Sequence, residues 1–272
     1  MLMKVDPPGL EIRTMKVGGR MLRVGIKPGP RGVPPLLLFN GIGASLELAS
    51  TFMQSLAGLE VIIFDVPGIG GSPGFDLPYR LPAIARLGAE LVKALGHDIV
   101  DVGGISWGGG VAQQFARQFP RLCRKLVLMA TAPGSTMVPA KLSVLLKLAS
   151  PRRYVDRSYM AAIAAEIYGG AFREDPALVA SHAAATTGVN SMGYLYQLIA
   201  VAGWTSLPWL HLLRQPTLVL SGRDDPIVRP VNGWILATLI PNSTYHVLDD
   251  GHLFVVSQPD TVARMVESFL RR

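Results

Sequence analysis

Cysteine, charge and long apolar runs are all scarce in this chain, and each scarcity excludes a class of protein. The one cysteine, Cys123, can neither close an intrachain disulfide nor build a zinc cluster, so a disulfide scaffold is excluded and a reducing compartment is expected. Charged residues make up only 17% of the 272 residues and hydrophobic residues 49%, which excludes intrinsic disorder. Glycine and proline, at 29 and 21, are too few for collagen or a low-complexity chain.

The sequence also lacks a membrane-spanning run and a signal peptide. No window offers about 20 apolar residues free of charges, prolines and polar clusters, which is what a spanning helix requires. Lys4, Asp6 and the Pro7-Pro8 pair interrupt the start before an apolar stretch reaches signal-peptide length. We therefore expect a cytoplasmic protein without a transmembrane segment.

The net charge of +7 is spread along the chain rather than gathered. The densest basic group is Arg152, Arg153 and Arg157, and Asp156 lies within it. No zinc-finger, RNA-binding or basic-zipper pattern accompanies it, so we expect a solvated surface and no nucleic-acid partner. A positive surface can still assist approach to an anionic interface.

Short apolar runs separated by helical patterns indicate an α/β fold. Nearly continuous apolar runs are typical of strands covered on both faces, so a mostly parallel sheet flanked by helices is predicted. The predicted strands are Leu36–Phe39, Val61–Asp65, Ile99–Gly103, Leu126–Ala130, Thr217–Ser221 and Thr244–Leu248. The clearest predicted helices are Leu81–Leu95, Val111–Phe119 and Thr261–Leu270, and Leu10–Ile26 is predicted to form an edge hairpin around Gly18-Gly19.

The alternation fails between Pro133 and Leu210, where the distance between strands is too long for one crossover helix. We predict a helical cap at residues 133–210, inserted into a core formed by residues 1–132 and 211–272. Residues 176–213 contain no Asp, Glu, Lys or Arg, and aromatic and aliphatic side chains crowd their second half. Such a segment either packs the cap onto the core or lines an apolar cleft, and for the whole set we favour the cleft.

The sequence Gly104-Ile105-Ser106-Trp107-Gly108 follows a predicted strand and precedes a helix. In that context a G-x-S-x-G pattern indicates a sharp, strained turn that exposes the serine hydroxyl at the top of the sheet. A serine hydroxyl is a poor nucleophile near neutral pH, so the chemistry needs a histidine to accept its proton and an acid to orient that histidine. Ser106 is thus the predicted nucleophile.

His252 is the best-placed base, because it lies in the loop after the last strand and can reach back over the sheet edge. The other histidines are more consistent with structural roles; they are His97, His182, His211 and His246. Two carboxylates, Asp224 and Asp225, follow the strand Thr217–Ser221 and can supply the acid. Asp249 and Asp250 are too near His252 in sequence to orient it easily and are interpreted as turn formers.

Hydrolysis at Ser106 also needs two backbone N–H donors for the oxyanion of the tetrahedral intermediate. A nucleophile turn of this kind supplies the first donor from the next residue, Trp107. The second donor is assigned to Ile42, in the glycine-containing loop Asn40-Gly41-Ile42-Gly43, which can also be a tight turn without a catalytic role.

These motifs resemble the α/β-hydrolase superfamily and, more narrowly, the intracellular depolymerases of medium-chain-length polyhydroxyalkanoates. The narrower resemblance spans roughly residues 36–258, including the cap, and rests on LLLFNGIGASLEL, FDVPGIGGS, GISWGGGVAQQFA, ASPRRYV, IYGGAFREDP, GWTSLPWLHLLRQPTLVLSGRDDPIV and LDDGHLFVV. It implies Ser106 as nucleophile, Asp225 as acid and His252 as base. Most of the superfamily has His-Gly where this chain has Asn40-Gly41, whereas Asn-Gly resembles the narrower family.

The resemblance implies a serine hydrolase that cleaves the ester bonds of a storage polyester through an acyl-enzyme, releasing 3-hydroxy acids or oligomers. It requires no metal or organic cofactor. The uncharged, aromatic-rich cap suits a hydrophobic polyester, and Met192, Trp204 and Trp209 are candidate contacts for its acyl chains. A storage-granule surface is a further candidate partner, and the oligomeric state is left open.

Three alternatives share the motifs. One is an esterase or lipase for small soluble esters, and another is a serine-based carbon–carbon bond hydrolase, whose acidic substrate would need a basic group such as Arg152 or Arg153. The third is a non-catalytic binding protein of the same fold. Dehalogenases and epoxide hydrolases of this architecture use an aspartate at the position of Ser106, which disfavours those reactions.

Overall fold

In the computed structural model, the described residues are 9–150, 152, 156–186 and 191–272. They contain a sheet of eight strands: β1 (Glu11–Val17), β2 (Arg20–Lys27), β3 (Leu36–Phe39), β4 (Val61–Phe64), β5 (Val100–Ile105), β6 (Cys123–Met129), β7 (Thr217–Gly222) and β8 (Ser243–Leu248). The strand order is β1-β2-β4-β3-β5-β6-β7-β8. The β1–β2 and β2–β4 pairs are antiparallel, and every pair from β4 to β8 is parallel.

The central strands are continuous apolar runs because both of their faces are buried. Every residue of β3 and β4 is buried. Side chains alternate along a strand, so Leu36 and Leu38 join one apolar core while Leu37 and Phe39 join the core on the opposite face. The sheet thus separates two helical layers, each of which has its own core.

The helices of the described residues are α1 (Leu46–Ser55), α2 (Leu81–Ala94), α3 (Trp107–Gln118), α4 (Leu142–Ala149), α5 (Arg157–Tyr168), α6 (Pro176–Thr186), α7 (Ser191–Val201), α8 (Pro230–Leu239), α9 (Phe254–Ser257) and α10 (Pro259–Arg271). Buried side chains of α2, α3 and α8 form one core, and those of α1, α9 and α10 form the other. None of the helices in this described part of the chain is long and apolar enough to cross a membrane.

The predicted mostly parallel sheet with helices on both faces is confirmed. All six predicted strands are present, with ends within three residues of those expected, and β1 and β2 form the predicted hairpin. Gly18 and Gly19 both adopt positive φ angles, of 57° and 78°, as a tight two-residue hairpin turn requires. Helix α3 begins at Trp107 rather than Val111, and α1 and α8 were not predicted.

The segment between β6 and β7 is helical, as predicted. It contains α4 to α7 and short 3-10 turns at Gly170–Arg173 and Leu207–Leu212. Its residues form a third apolar cluster around Met160, Ile163 and Ile167, against which Leu253 and Val256 of the core pack. The division into a core and a cap at residues 133 and 210 stays a prediction.

Candidate active site

Ser106 occupies a strained turn between β5 and α3. Its φ of 54° and ψ of −117° lie outside the regions that side-chain-bearing residues normally adopt, which costs on the order of 1–3 kcal/mol. The neighbouring strand holds the turn in place, because the Ser106 N–H donates to the Met129 carbonyl at 2.8 Å. The Thr131 hydroxyl donates to the Ser106 carbonyl at 2.7 Å. Both contacts fix the backbone that presents the hydroxyl.

Two glycines make this turn sterically possible. A Cβ at Gly108 would lie 2.2 Å from the Phe39 carbonyl oxygen, and a Cβ at Gly104 would lie 2.3 Å from the Gly108 carbonyl oxygen. Since real Cβ atoms do not approach that closely, only glycine allows α3 to start directly against β3 and β5. The glycines of the G-x-S-x-G pattern therefore fix where the serine emerges.

The structure brings Ser106, His252 and Asp225 together in a hydrogen-bonded chain. His252 Nε2 lies 3.0 Å from Ser106 Oγ, and His252 Nδ1 lies 2.7 Å from Asp225 Oδ2. Both His252 and Asp225 are buried. A carboxylate can only accept, so Nδ1 donates to Asp225, which leaves Nε2 of the neutral ring to accept from the serine hydroxyl. This is the arrangement in which a serine can lose its proton to a histidine.

Asp225 is held by the chain that follows it. Its Oδ1 accepts the backbone N–H groups of Ile227 at 2.9 Å and Val228 at 2.8 Å, while Oδ2 faces the imidazole. Each carboxylate oxygen therefore has a separate function, one anchoring the side chain and the other orienting His252.

Asp224 faces the opposite way and does not contact His252. Its exposed carboxylate accepts from Arg173 Nε at 2.7 Å and from the Gly170 N–H at 2.8 Å. The hydrogen bond from Arg173 lowers the pKa of Asp224 below its usual value. The strand-end pattern alone does not tell which of the two adjacent carboxylates orients the histidine. In the structure it is Asp225 that faces His252.

The loop that carries His252 is organised by the neighbouring Asp250. Asp250 is buried and accepts from the N–H groups of Gly251 at 2.6 Å and Ala171 at 3.0 Å. The His252 N–H donates to the Tyr168 carbonyl at 2.7 Å. Asp249 points to solvent, beside Arg223. Thus Asp250 ties the histidine loop to the segment that follows α5.

Three of the other four histidines lie away from Ser106, and the fourth, His182, lines a cavity beside it. His97 is 3.1 Å from Glu60 and far from Ser106 in the fold, and His211 and His246 are exposed. His182 of α6 is buried, and its Nε2 lies 3.2 Å from the Tyr168 hydroxyl.

Among the described residues, no group of three or more His, Cys, Asp or Glu side chains is placed to hold a metal ion.

The loop after β3 lies directly beside the nucleophile. A Cβ at Gly41 would lie 3.8 Å from Ser106 Cβ. The loop is closed by the Asn40 side chain, which accepts from the Gly41 N–H at 2.9 Å and donates to the Ser45 carbonyl at 2.8 Å. Ile42 and Ser106 line the same two cavities. The oxyanion roles of Ile42 and Trp107 stay predictions that this placement favours.

Two apolar cavities meet at Ser106. One, of about 160 Å³, extends along His252 and Leu253 toward the cap, and the other, of about 480 Å³, extends past Trp107 toward the end of β6. The larger volume is within the usual range for ligand pockets, which is about 300–1,000 Å³. The described lining of both cavities contains no Lys or Arg. Residues common to both walls are Ile42, Ser106, Leu198 and Ile227.

One of the three predicted substrate contacts lines these cavities. Trp204 forms part of the wall of the larger cavity and donates from Nε1 to Gln114 at 2.8 Å. Trp209 packs edge-on against Trp204, with 6.0 Å between ring centroids, and is not in either wall. Met192 is 51% exposed and also lies outside both walls. The substrate contacts of all three residues stay predictions, of which the cavity wall favours that of Trp204.

Three cap residues at the site, Tyr168, His182 and Gln197, were not predicted there, whereas Tyr194 belongs to the apolar set that we favoured as the lining of a cleft. Tyr168, His182 and Tyr194 line the smaller cavity, and Gln197 lies behind the loop after β3. The glycine pair that follows Tyr168 in the motif IYGG is a sequence signal for a tight turn at this point. In the structure both Gly169 and Gly170 have positive φ angles, of 66° and 50°. No local pattern singles out His182 or Gln197, because their positions depend on how the cap packs.

Comparison with known proteins decides the family. A family model for the alpha/beta hydrolase fold matches residues 34–259. The chain belongs to the α/β hydrolase fold family. A poly(3-hydroxyalkanoate) depolymerase from Ectopseudomonas oleovorans is 49% identical to this hydrolase over 261 residues, which is 96% of this chain and 92% of the relative.

More distant relatives share the same fold. The 3-oxoadipate enol-lactonase 2 of Acinetobacter baylyi is 27% identical over 251 residues, covering 88% of this hydrolase and 89% of the relative. Among solved structures, an enol-lactonase from Burkholderia xenovorans LB400 superposes with a TM-score of 0.83 at 21% identity, over 96% of this chain and 100% of that one. At that identity the likeness concerns the fold alone.

Proposed function

We propose that this α/β hydrolase cleaves the ester bonds of medium-chain-length poly(3-hydroxyalkanoate) through an acyl-enzyme on Ser106. The observation that carries the proposal is the hydrogen-bonded chain from Ser106 through His252 to Asp225, which opens onto two apolar cavities. The substrate class rests on the depolymerase that is 49% identical over nearly the whole chain.

Acylation begins when the Ser106 hydroxyl gives its proton to His252 Nε2 and its oxygen bonds to the carbonyl carbon of the ester. The positive charge on the imidazole is balanced by Asp225, 2.7 Å away. The carbonyl oxygen becomes an oxyanion, for which the N–H groups of Ile42 and Trp107 are the proposed donors. The intermediate collapses as the bond to the alcohol oxygen breaks, and that oxygen takes the proton from His252.

Deacylation repeats these steps with water. His252 accepts a proton from a water molecule, whose oxygen attacks the carbonyl carbon of the acyl-enzyme. The second intermediate then releases Ser106, which regains its proton from the imidazole. One ester bond and one water molecule yield a free carboxylic acid and a free hydroxyl, the two ends of a hydroxyalkanoate chain.

The cavity walls favour an uncharged substrate with alkyl branches. Their described lining is mostly apolar, and its polar side chains are a few groups near Ser106, the Tyr168–His182 pair, Tyr194 and Ser135. A carbon–carbon bond hydrolase acting on an acidic substrate would need a cation in this wall. Arg152 is exposed, pairs with Asp156 and lies outside both walls, and Arg153 lies outside the described residues.

Because such a polyester is insoluble, the enzyme would act at the surface of a storage granule. The proposal therefore includes granule association and a cytoplasmic location. Support comes from α4, where Leu142 and Leu146 are 70% and 64% exposed. Leu145 of the same helix is 41% exposed and also lines the larger cavity. A surface patch therefore continues directly into the cavity that reaches Ser106.

The experiment that tests the proposal compares wild type with Ser106→Ala on three substrates: nitrophenyl butyrate, nitrophenyl octanoate and an emulsified poly(3-hydroxyoctanoate). We expect wild type to release 3-hydroxyoctanoate or its oligomers from the polymer, detected by mass spectrometry. Ser106→Ala should keep its fold, measured by circular dichroism, and lose about 10⁴–10⁶-fold in turnover. A fluorophosphonate should label wild type and not the variant.

Each failure has a distinct meaning in this experiment. Wild type that cleaves both nitrophenyl esters but leaves the polymer intact would be an esterase for soluble substrates, and the polyester proposal would be wrong. Retained activity in Ser106→Ala would show that the nucleophile lies elsewhere. A wild type that is neither labelled nor active on any ester would identify a non-catalytic protein.

A further inference from the structure

Gln197, on the cap helix α7, contacts both segments that carry the proposed oxyanion donors. Its side-chain Oε1 accepts the Gly43 N–H at 2.7 Å, in the loop after β3. Its backbone carbonyl accepts the indole N–H of Trp107 at 2.9 Å, on the residue after the nucleophile. Gln197 is fully buried, at 0% exposure. A cap residue thus forms hydrogen bonds to both sides of the catalytic serine.

We propose that Gln197 is a positioning residue that fixes the loop carrying the Ile42 N–H. This inference rests on the proposed function, since the oxyanion role of Ile42 belongs to it. The amides on both sides of Ile42 are held by side-chain oxygens, Gly41 by Asn40 at 2.9 Å and Gly43 by Gln197 at 2.7 Å. These two bonds restrain the peptide planes on either side of the one that carries the Ile42 N–H, whose own carbonyl, that of Gly41, accepts the Ala44 N–H at 3.2 Å.

The loop needs this support because its sequence provides little rigidity. Ile42 lies between two glycines, and Gly43 has a φ of 69°, a region that glycine enters easily and leaves easily. The Asn40 side chain joins the two ends of the loop, Gly41 and Ser45, and the Ala44 N–H donates to the Gly41 carbonyl at 3.2 Å, but neither contact holds the Gly43 amide. Gln197 is distant in sequence and anchored in α7, so it supplies the rigid second point. Because Gln197 is buried, water is not available to replace its oxygen.

Oxyanion donors accelerate a reaction only when they are already aimed at the position where charge develops. Loss of the Gln197 acceptor would leave Ile42 and Ser106 present but allow the loop to move. We therefore expect weaker binding of the tetrahedral intermediate with little change in ground-state binding. A side chain that only filled space would affect folding stability without that selectivity.

The test replaces Gln197 with methionine, which has nearly the same length and shape but no strong acceptor. In Gln197→Met we expect kcat on nitrophenyl octanoate to fall about 10- to 100-fold, because the donor is misplaced rather than removed. KM should change by less than about threefold, as expected for an interaction made mainly in the transition state. The affinity for an alkyl boronic acid, which forms a tetrahedral adduct on Ser106, should fall in parallel with kcat.

Gln113→Met is the matched control. Gln113 is also fully buried and also links core to cap, accepting from the Ser206 hydroxyl at 2.6 Å, but it does not contact the loop after β3. It should lose stability, measured by urea unfolding, while its boronate affinity stays near that of wild type.

Gln197→Met with wild-type kcat and boronate affinity, or with losses no larger than those of Gln113→Met, would overturn the proposal. Such a result in an active wild type counts against Gln197 alone. A wild type with no ester hydrolysis and no boronate binding would instead count against the proposed function.

Discussion

Asp224 and Asp225 are neighbours in the chain, but their surroundings give them different chemistry. Asp225 is buried, faces His252 and is anchored by two backbone N–H groups. Asp224 is exposed and paired with Arg173. An exposed ion pair contributes at most about 1 kcal/mol to stability, so its replacement has little effect. The two residues therefore form a matched pair for testing how His252 is oriented.

We expect Asp225→Asn to lower kcat by about 10⁴-fold while the protein stays folded. The amide oxygen can keep the bonds from Ile227 and Val228, but its NH₂ would face Nδ1 and favour the wrong tautomer of His252. Asp224→Asn should keep wild-type turnover and lose at most about 1 kcal/mol of stability. Ester hydrolysis and urea unfolding measure both. A comparable loss of turnover in the two variants would contradict the assignment.

At this scale, the sequence predicted residue types and chain order better than side-chain directions. Ser106 and His252 could be placed because each follows a strand at the edge where the carboxyl ends of the parallel strands meet. The choice of Asp225 over Asp224 came from resemblance, because a loop can turn either of two adjacent carboxylates inward. Gln197 was not predicted, since nothing near it in sequence indicates contact with Gly43.

The start of α3 shows tertiary packing overriding helix propensity. Gly108, Gly109 and Gly110 are poor helix formers, and the predicted helix begins only after them, at Val111. They nevertheless form the first turn of α3, where a larger residue at Gly108 or Gly109 would collide with neighbouring elements and one at Gly110 would be tightly packed. A Cβ at Gly109 would lie 2.4 Å from Thr131, and one at Gly110 would lie 3.3 Å from Leu81 and Trp204.

Gly108→Ala should therefore be strongly destabilising, by about 3 kcal/mol or more. Its new Cβ would meet the backbone oxygens of Phe39 at 2.2 Å and Asn40 at 2.5 Å, neither of which can move without displacing β3. Gly74→Ala is the control, because the nearest atom to its Cβ would be 3.8 Å away. Urea unfolding midpoints should fall for Gly108→Ala and stay near wild type for Gly74→Ala; equal midpoints would refute the steric argument.

Strands buried on both faces and the strongly amphipathic helices α2 and α10 were predictable, whereas the helices α1 and α8 were not. Strands β3, β4 and β7 are short, fully buried apolar runs, which explains the agreement of their ends with prediction. Helix α1 is short and was not predicted, although its buried residues recur at helical spacing; α8 contains Gly233 and β-branched residues and has no clear helical pattern. Their helicity depends on packing against the sheet.

On the scale of the whole molecule, exposed leucines lie at both edges of the sheet, but those at only one edge lie beside the cavity that reaches Ser106. Leu142 and Leu146 of α4 lie on the cap beside the cavity that reaches Ser106. Leu212 and Leu239, 43% and 36% exposed, precede the first residues of β7 and β8 and so lie at the opposite edge. Only the first pair can face a solid polyester that enters the cavity.

The double variant Leu142→Gln/Leu146→Gln should therefore separate activity on the polymer from activity on soluble esters. Neither leucine lines the cavities, so hydrolysis of nitrophenyl octanoate should stay at the wild-type rate. Removing two exposed apolar side chains from the contact should weaken adsorption to poly(3-hydroxyoctanoate) particles about 10-fold or more, measured by sedimentation, and slow their degradation. The control, Leu212→Gln/Leu239→Gln, removes two leucines that are exposed to a smaller extent at the opposite edge and should adsorb like wild type. If both variants adsorb equally, or if the first only dissociates an oligomer in analytical ultracentrifugation, α4 is not the surface that meets the polymer.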